Sequence, residues 1–220
     1  MINLLLFLGS CALIAGFAWF FSRLGQGSLT AWIAILSLLA NLFVLKQIDL
    51  LGLNATASDI FAIGNLLALN LLQEKYGRKA TQNAIWTSFS CLLFFVIMSQ
   101  IHLHYEPSLY DNSQSSYSLI LAATPRMMIA SLFTFLVIDQ FDSRFYGYMR
   151  QRLPQISIIL VSAMTMCISQ TLDSILCNIL GLYGVVGALM EIIMVSVAIK
   201  VLAIASTIPW AYASRRLFSQ

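Results

Sequence analysis

Seven stretches of predominantly apolar residues follow one another along this chain. Each is about the twenty residues a helix needs to cross a hydrocarbon core roughly 30 Å thick. They fall at 2–22, 29–46, 57–74, 83–103, 119–141, 156–178 and 188–210. Of the 220 residues, 60% are hydrophobic and 10% charged, against roughly 25% charged in an ordinary soluble domain. That much apolar surface exceeds what a soluble core of this size can bury, so it requires lipid as solvent. The sequence therefore predicts an all-α polytopic membrane bundle. The third stretch is short and the most polar, which leaves the count at six or seven spans.

The first stretch lacks the positive n-region of a secretory signal and exceeds its usual length, so it reads as a retained helix. Thr124-Pro125 offers a later start for the fifth helix, threonine as N-cap and proline in the first helical position. That start would leave 118–123 as a loop or re-entrant segment. Orientation follows from the basic residues. One side carries Arg23, Lys75, Arg78, Lys79, Arg144, Arg150, Arg152, Arg215 and Arg216, and the other only Lys46. Nine against one is a strong positive-inside signal and puts the C-terminus in the cytoplasm. The polar 104–117 loop suits the outer side, and no stretch remains for a soluble domain.

Charges inside the apolar stretches carry the functional information, because an ionisable group at mid-membrane costs roughly 2.5–3.5 kcal/mol on insertion scales. Asp59, Arg126, Asp139, Asp173, Glu191 and Lys200 qualify. Lys200 lies near the middle of the last stretch, roughly 18 Å deep, and Asp173 roughly 8 Å from the outer end of the sixth. Asp59 and Glu191 sit near outer helix starts, either solvated or favouring a helix N-terminus. Asp139 and Asp142 approach the cytoplasmic end, where Arg144 is an available partner. Ser162, Thr165, Ser169, Asp173 and Cys177 share one helical face, with Gln170 beside it. Ser196, Lys200 and Thr207, then Asn65, Asn70, Gln73 and Glu74, then Ser37 and Asn41, repeat the theme on three other helices. Polar faces on four helices are best satisfied by facing one another. Either they line a substrate pocket, or they are interhelical hydrogen bonds with Asp173 and Lys200 neutralising each other.

Several classes of activity lack their residues. No GxxxxGK[ST] loop is present, so the chain carries no P-loop for ATP. Gly181, Gly184 and Gly187 have no strand before them and make no dinucleotide site. HExxH and GxSxG are absent, and His102 and His104 point to different helix faces. The sequence thus calls for no enzyme chemistry, no cofactor, no metal and no nucleic-acid partner. The four cysteines (Cys11, Cys91, Cys167 and Cys177) fall in apolar stretches without ligand spacing and read as small packed hydrophobes. Cys11/Ala15 and Ala12/Gly16 give the first helix a small-residue face suited to close helix contact.

Six motifs then occur in order: NLFVLK (41–46), NLLQEKYGRKA (70–80), TPRMMIAS (124–131), DQFDSRF (139–145), SQTLDS (169–174) and IKVLAIASTIP (199–209). Together, over about 36–216, they resemble the queuosine-precursor transporter family, also catalogued as vitamin-uptake transporters. The resemblance implies a six-helix transporter core at 29–216, with 1–28 an additional N-terminal transmembrane helix. It implies an inner-membrane carrier of a bacterial cell that imports 7-deazaguanine bases, salvaged for tRNA modification. It further implies that Asn41, Asn70, Glu74, Arg126, Gln170, Asp173 and Lys200 bind substrate. Tyr76 is a further polar position of the matched motifs. Asn70 departs from the family, many members of which have an acidic residue there. A guanine-like edge offers adjacent N–H donors and a carbonyl; a carboxylate accepts the pair while a cation donates to the oxygen. On that chemistry Asp173 with Gln170 reads the N–H edge, Lys200 or Arg126 reaches the carbonyl, and Glu74 or Glu191 faces an aminomethyl ammonium. The alternative role is the substrate-binding membrane subunit of an energy-coupling, ATP-driven uptake complex. Partners left open beyond the lipid bilayer are a homo-oligomer and energy-coupling subunits.

Overall fold

The computed structural model describes residues 2–50, 52–121, 125–183 and 189–218. Its elements are α1 (Ile2–Leu24), α2 (Gln26–Leu42), β1 (Gln47–Leu50), β2 (Leu53–Thr56), α3 (Asp59–Leu103), α4 (Gln114–Leu121), α5 (Pro125–Arg152), α6 (Ile158–Leu182) and α7 (Leu189–Phe218). The molecule is a helical membrane protein. By length and composition α1, α3, α6 and α7 can each cross a bilayer, and α2 is a shorter apolar helix. Leu5, Leu13, Phe17, Phe94, Ile129 and Phe133 all point outward. In water such a surface would aggregate; in lipid it is the solvated one.

The 45 residues of α3 are two helices broken at Gly77 (φ +80°, ψ 175°). That backbone region is essentially open to glycine alone. Contacts along α5 show that the chain reverses there. Glu74, before the break, pairs with Arg150 near the end of α5. Gln100, after it, reaches Met128 near the start of α5. The limbs 59–76 and 78–103 therefore run in opposite senses and correspond to the third and fourth apolar stretches. Gly77→Ala is expected to destabilise the protein by about 1–3 kcal/mol, read as a lower melting temperature in detergent. Gly9→Ala, where a Cβ meets only open space, serves as the control. Equal melting of the two variants would refute a strained reversal.

α1 packs against α7, α3 and α2, with Cys11, Ala15 and Ala18 buried. The small-residue face is thus a contact face. The approach to α3 is closest at Gly64, where a Cβ would stand 2.3 Å from Ile14 Cγ2. α1 and the first limb also run the same way, since Lys75 Nζ donates to Ser22 O at 2.6 Å. Ser157 joins the Tyr212 hydroxyl at that level. The ends of α1, the first limb, α5 and α7 and the start of α6 therefore gather on the face that holds the basic residues.

Two expectations need correction. The second stretch reads as a helix over 29–46, but α2 spans Gln26–Leu42, and Gln47–Leu50 pairs antiparallel with Leu53–Thr56 in a hairpin, Leu50 opposite Leu53. Asp49 Oδ1 accepts from Gly52 N at 3.0 Å across its tip, and Asn3 Nδ2 donates to Asp49 O at 2.9 Å, tying it to α1. The hairpin also packs on α7, so α3 starts beneath it rather than at the surface. The fifth stretch is also divided. α4 ends at Leu121 and α5 opens on Pro125, the later start expected of a proline in the first helical position; Thr124 lies outside the described residues. α5 then runs to Arg152, well past 141.

Candidate functional site

The deepest charges form a triad. Lys200 lies eleven residues after Leu189 at the start of α7, roughly 16 Å along the axis. Asp173 lies nine residues before Leu182 at the end of α6, roughly 14 Å. Lys200 Nζ stands 2.5 Å from Asp173 Oδ2 and 4.0 Å from Asp59 Oδ1. The sequence put Asp173 and Lys200 about 10 Å apart in depth, but α6 continues to 182 rather than stopping at 178, and the difference closes. Mutual neutralisation of Asp173 and Lys200 is thus the arrangement adopted, with Asp59 as third member. Asp59 is buried, not solvated. It sits in the first turn of α3, where the helix N-terminus favours its negative charge. The Asp173 side chain keeps 24% of its surface open against 6% for Lys200. Ser174 and Ser196 meet at 3.0 Å one residue beyond, joining α6 to α7.

Two further carboxyls are buried with no cation paired to them among the described residues. Asn65 Nδ2 donates to both oxygens of Asp139, at 3.1 and 3.0 Å. Ser37 donates to Asn65 Oδ1 at 3.4 Å, Asn41 donates to Ser37 O at 3.0 Å, and Ser131 donates to Asn41 Oδ1 at 2.7 Å. This chain stitches α2, α3 and α5 together. On the next turn of α5, Asp142 Oδ1 accepts from Ser169 Oγ at 2.6 Å. Asn70 lies beside it and donates to Thr165 Oγ1 at 3.5 Å. Arg144 partners neither aspartate among the described residues. Arg144 follows them by five and two residues on the same helix, spacings that do not bring side chains onto one face. Gln170 is buried, and its Oε1 has no partner.

Glu74 is at the basic face, held by Arg150 at 3.0 Å and by the Tyr146 hydroxyl at 3.0 Å. Gln73 and Ser143 exchange hydrogen bonds of 2.6 and 2.8 Å beside it. Glu191 is exposed at the start of α7. Arg126 is in the first turn of α5, and its side chain lies outside the described residues.

Two cavities stand at opposite ends. One of about 520 Å³ is lined by Met98, His102, Glu106, Asp111, Gln114 and Tyr117. The hydroxyl and N–H of Ser113 hold the Asp111 carboxyl below its ordinary range, keeping that mouth acidic. The other, of about 480 Å³, is lined by Glu74, Arg78, Ser143, Arg144, Tyr146 and Arg150. Neither reaches the triad or Asp142.

The structure thus brings Asp173 and Lys200 together and places Asn41, Asn70 and Gln170 in the same polar interior, but holds Glu74 apart at the basic face. The set of binding residues implied by the sequence leaves out Asp59, Asn65, Asp139, Asp142 and Ser169, although Asp59 and Asp139 stand among its candidate charges and Asn65 and Ser169 on its polar faces. A usable signal was present for two of them, because Asp139 and Asp142 are spaced i, i+3 and share a helix face.

These features define a multi-helix membrane protein with an apolar surface and polar, ionisable groups set within its core. The chain belongs to the family described as "putative vitamin uptake transporter", whose profile matches residues 56–214; it is thus a membrane transporter family member. It is 28% identical over 201 residues, 90% of this chain and 88% of the relative, to a "Probable queuosine precursor transporter" of Bacillus subtilis (strain 168). No solved structure matches it.

Proposed function

We propose that this chain imports 7-deazaguanine bases, the cyano and aminomethyl precursors of queuosine or queuine itself, across a bacterial inner membrane. It crosses seven times, through α1, α2, both limbs of α3, α5, α6 and α7, with the C-terminus in the cytoplasm. α1 is an additional span braced against a six-helix core. The family and the relative's name support the substrate class. The observation that carries the site is the Asp173–Lys200 pair. Oδ2 takes the ammonium, and Oδ1 makes no hydrogen bond among the described residues. An acceptor therefore stands beside a donor, the complement of a guanine-like edge with N–H groups next to a carbonyl. Gln170, one turn away, adds an unpaired acceptor. The two end cavities, with a closed polar interior between them, suit alternating access around a midplane site.

The test uses cells lacking their own queuosine synthesis and uptake, fed each base, with queuosine in tRNA as the readout. The wild-type chain is expected to restore it, and Asp173→Ala to lower base uptake roughly tenfold or more through loss of a charged hydrogen bond. Equal rescue by both would remove Asp173 from the site and keep the transporter. Rescue by neither, with the protein in the membrane, would overturn the substrate assignment unless ATPase subunits co-purify with it, the sign of an energy-coupled complex.

A further inference from the structure

Asp142 differs from the other buried carboxyls. Asp59 and Asp173 share Lys200, and both oxygens of Asp139 accept from Asn65. Asp142 is fully buried, accepts from the neutral Ser169 with the neutral Asn70 beside it, and leaves Oδ2 without a partner among the described residues. Asn70 Oδ1 and Ser162 Oγ, also buried, are unpartnered too. A carboxylate among neutral groups in a lipid-embedded interior is costly. A cluster of bare oxygen acceptors calls for something that donates or is positive. Neither end cavity reaches these atoms, and the smallest group that answers the demand is a proton, which on Asp142 Oδ2 turns an acceptor into an O–H donor.

Polar groups stand between this point and the basic face, although Thr165 and Ser162 meet through a backbone carbonyl rather than hydroxyl to hydroxyl. Asn70 bonds Thr165, and Thr165 Oγ1 donates to Ser162 O at 3.0 Å. Ser162 lies beside the Tyr146 hydroxyl, which donates to Glu74 at 3.0 Å. Glu74 and Tyr146 both line the cavity on that face. The charged and titratable groups on the surrounding elements include Asp139, Arg144, Tyr146 and Arg150 on α5, Asp59 and Glu74 on α3, Asp173 on α6, and Lys200 on α7; Arg144 pairs with neither α5 aspartate among the described residues, and the others are engaged as described.

We propose that Asp142 carries a proton that is co-transported with the substrate and released toward the cytoplasmic cavity lined by Tyr146 and Glu74. This rests on the transporter reading above. One proton joins the Asp142 carboxylate from the outer side and leaves it inward for each base moved. With a neutral base, one positive charge therefore crosses per cycle.

The experiment uses the purified full chain in proteoliposomes with the cyano base, which is neutral, and a pH-sensitive dye inside. Base exchange at equal pH is measured separately from uptake driven by an acid-outside gradient. At one proton per base, a gradient of one pH unit supports roughly tenfold accumulation, and uptake is expected to acidify the lumen. Asp142→Asn, nearly isosteric, is expected to keep exchange but lose both accumulation and acidification. Wild-type exchange without accumulation or acidification would overturn the coupling and leave the transporter standing. Gradient-driven accumulation by Asp142→Asn would overturn the assignment to this residue. Failure of the folded wild type to exchange any of the bases would overturn both readings.

Discussion

Replacing Lys200 by methionine is expected to lower the unfolding free energy by about 3–5 kcal/mol, the usual result of removing one partner from a buried ion pair. Methionine fills the lysine stem's volume, so packing changes little and the loss is electrostatic. The substitution leaves Asp59 and Asp173 facing each other with no cation, 4.0 and 2.5 Å from where the ammonium stood. Two carboxylates sharing a buried site repel each other, and neither is repaid for its lost hydration. Denaturant unfolding of the protein in nanodiscs, followed by tryptophan fluorescence, measures the effect. The triple variant Asp59→Asn, Asp173→Asn and Lys200→Met is expected to recover most of the loss, since replacing a whole buried ion cluster is often close to neutral. A loss below about 1 kcal/mol for Lys200→Met would rule out electrostatic coupling in the triad, because that is the range of solvent-screened pairs.

The same triad shows how far the residues alone reach. Lys200 and Asp173 stand out in sequence because ionisable groups in apolar stretches are expensive. Their contact depends on where α6 ends, and composition does not mark that end, because Ile179, Leu180, Gly181 and Leu182 continue the apolar stretch as helix. Polar residues carry α5 on to Arg152 and move Asp139 and Asp142 away from the basic face. Asp59 was legible as a charge at a helix start. What hid its role is the hairpin at 47–56, two four-residue strands too short to stand out beside membrane helices. That hairpin lowers the start of α3 into the interior. The two limbs of α3, in contrast, were readable as separate stretches, because length and apolar content define them without reference to any partner. The polar ladders were readable as faces but not as pairs, since i, i+4 spacing says which residues share a side and nothing of what faces them.

Asn65 tests whether those ladders are scaffold or route. Asn65→Val is expected to cost about 3 kcal/mol or more, because it removes both hydrogen bonds to Asp139 and leaves a fully buried carboxyl without a donor. Ser37 loses its 3.4 Å bond to Asn65 but keeps its 2.9 Å bond to Ile33 O, so nothing else in the ladder is orphaned. The double variant Asn65→Val, Asp139→Val is then expected to return to within about 1 kcal/mol of wild type, as deleting both partners of a buried pair removes the unmet demand of each. It is also expected to keep base exchange, because Asp139 has both oxygens committed to a protein donor whereas Asp142 does not. Unfolding in nanodiscs and exchange in proteoliposomes read the two effects separately. A stable double variant that no longer exchanges base would move Asp139 from the scaffold into the transport route. A double variant as unstable as Asn65→Val would mean that the loss arises from packing at position 65 rather than from the stranded carboxyl.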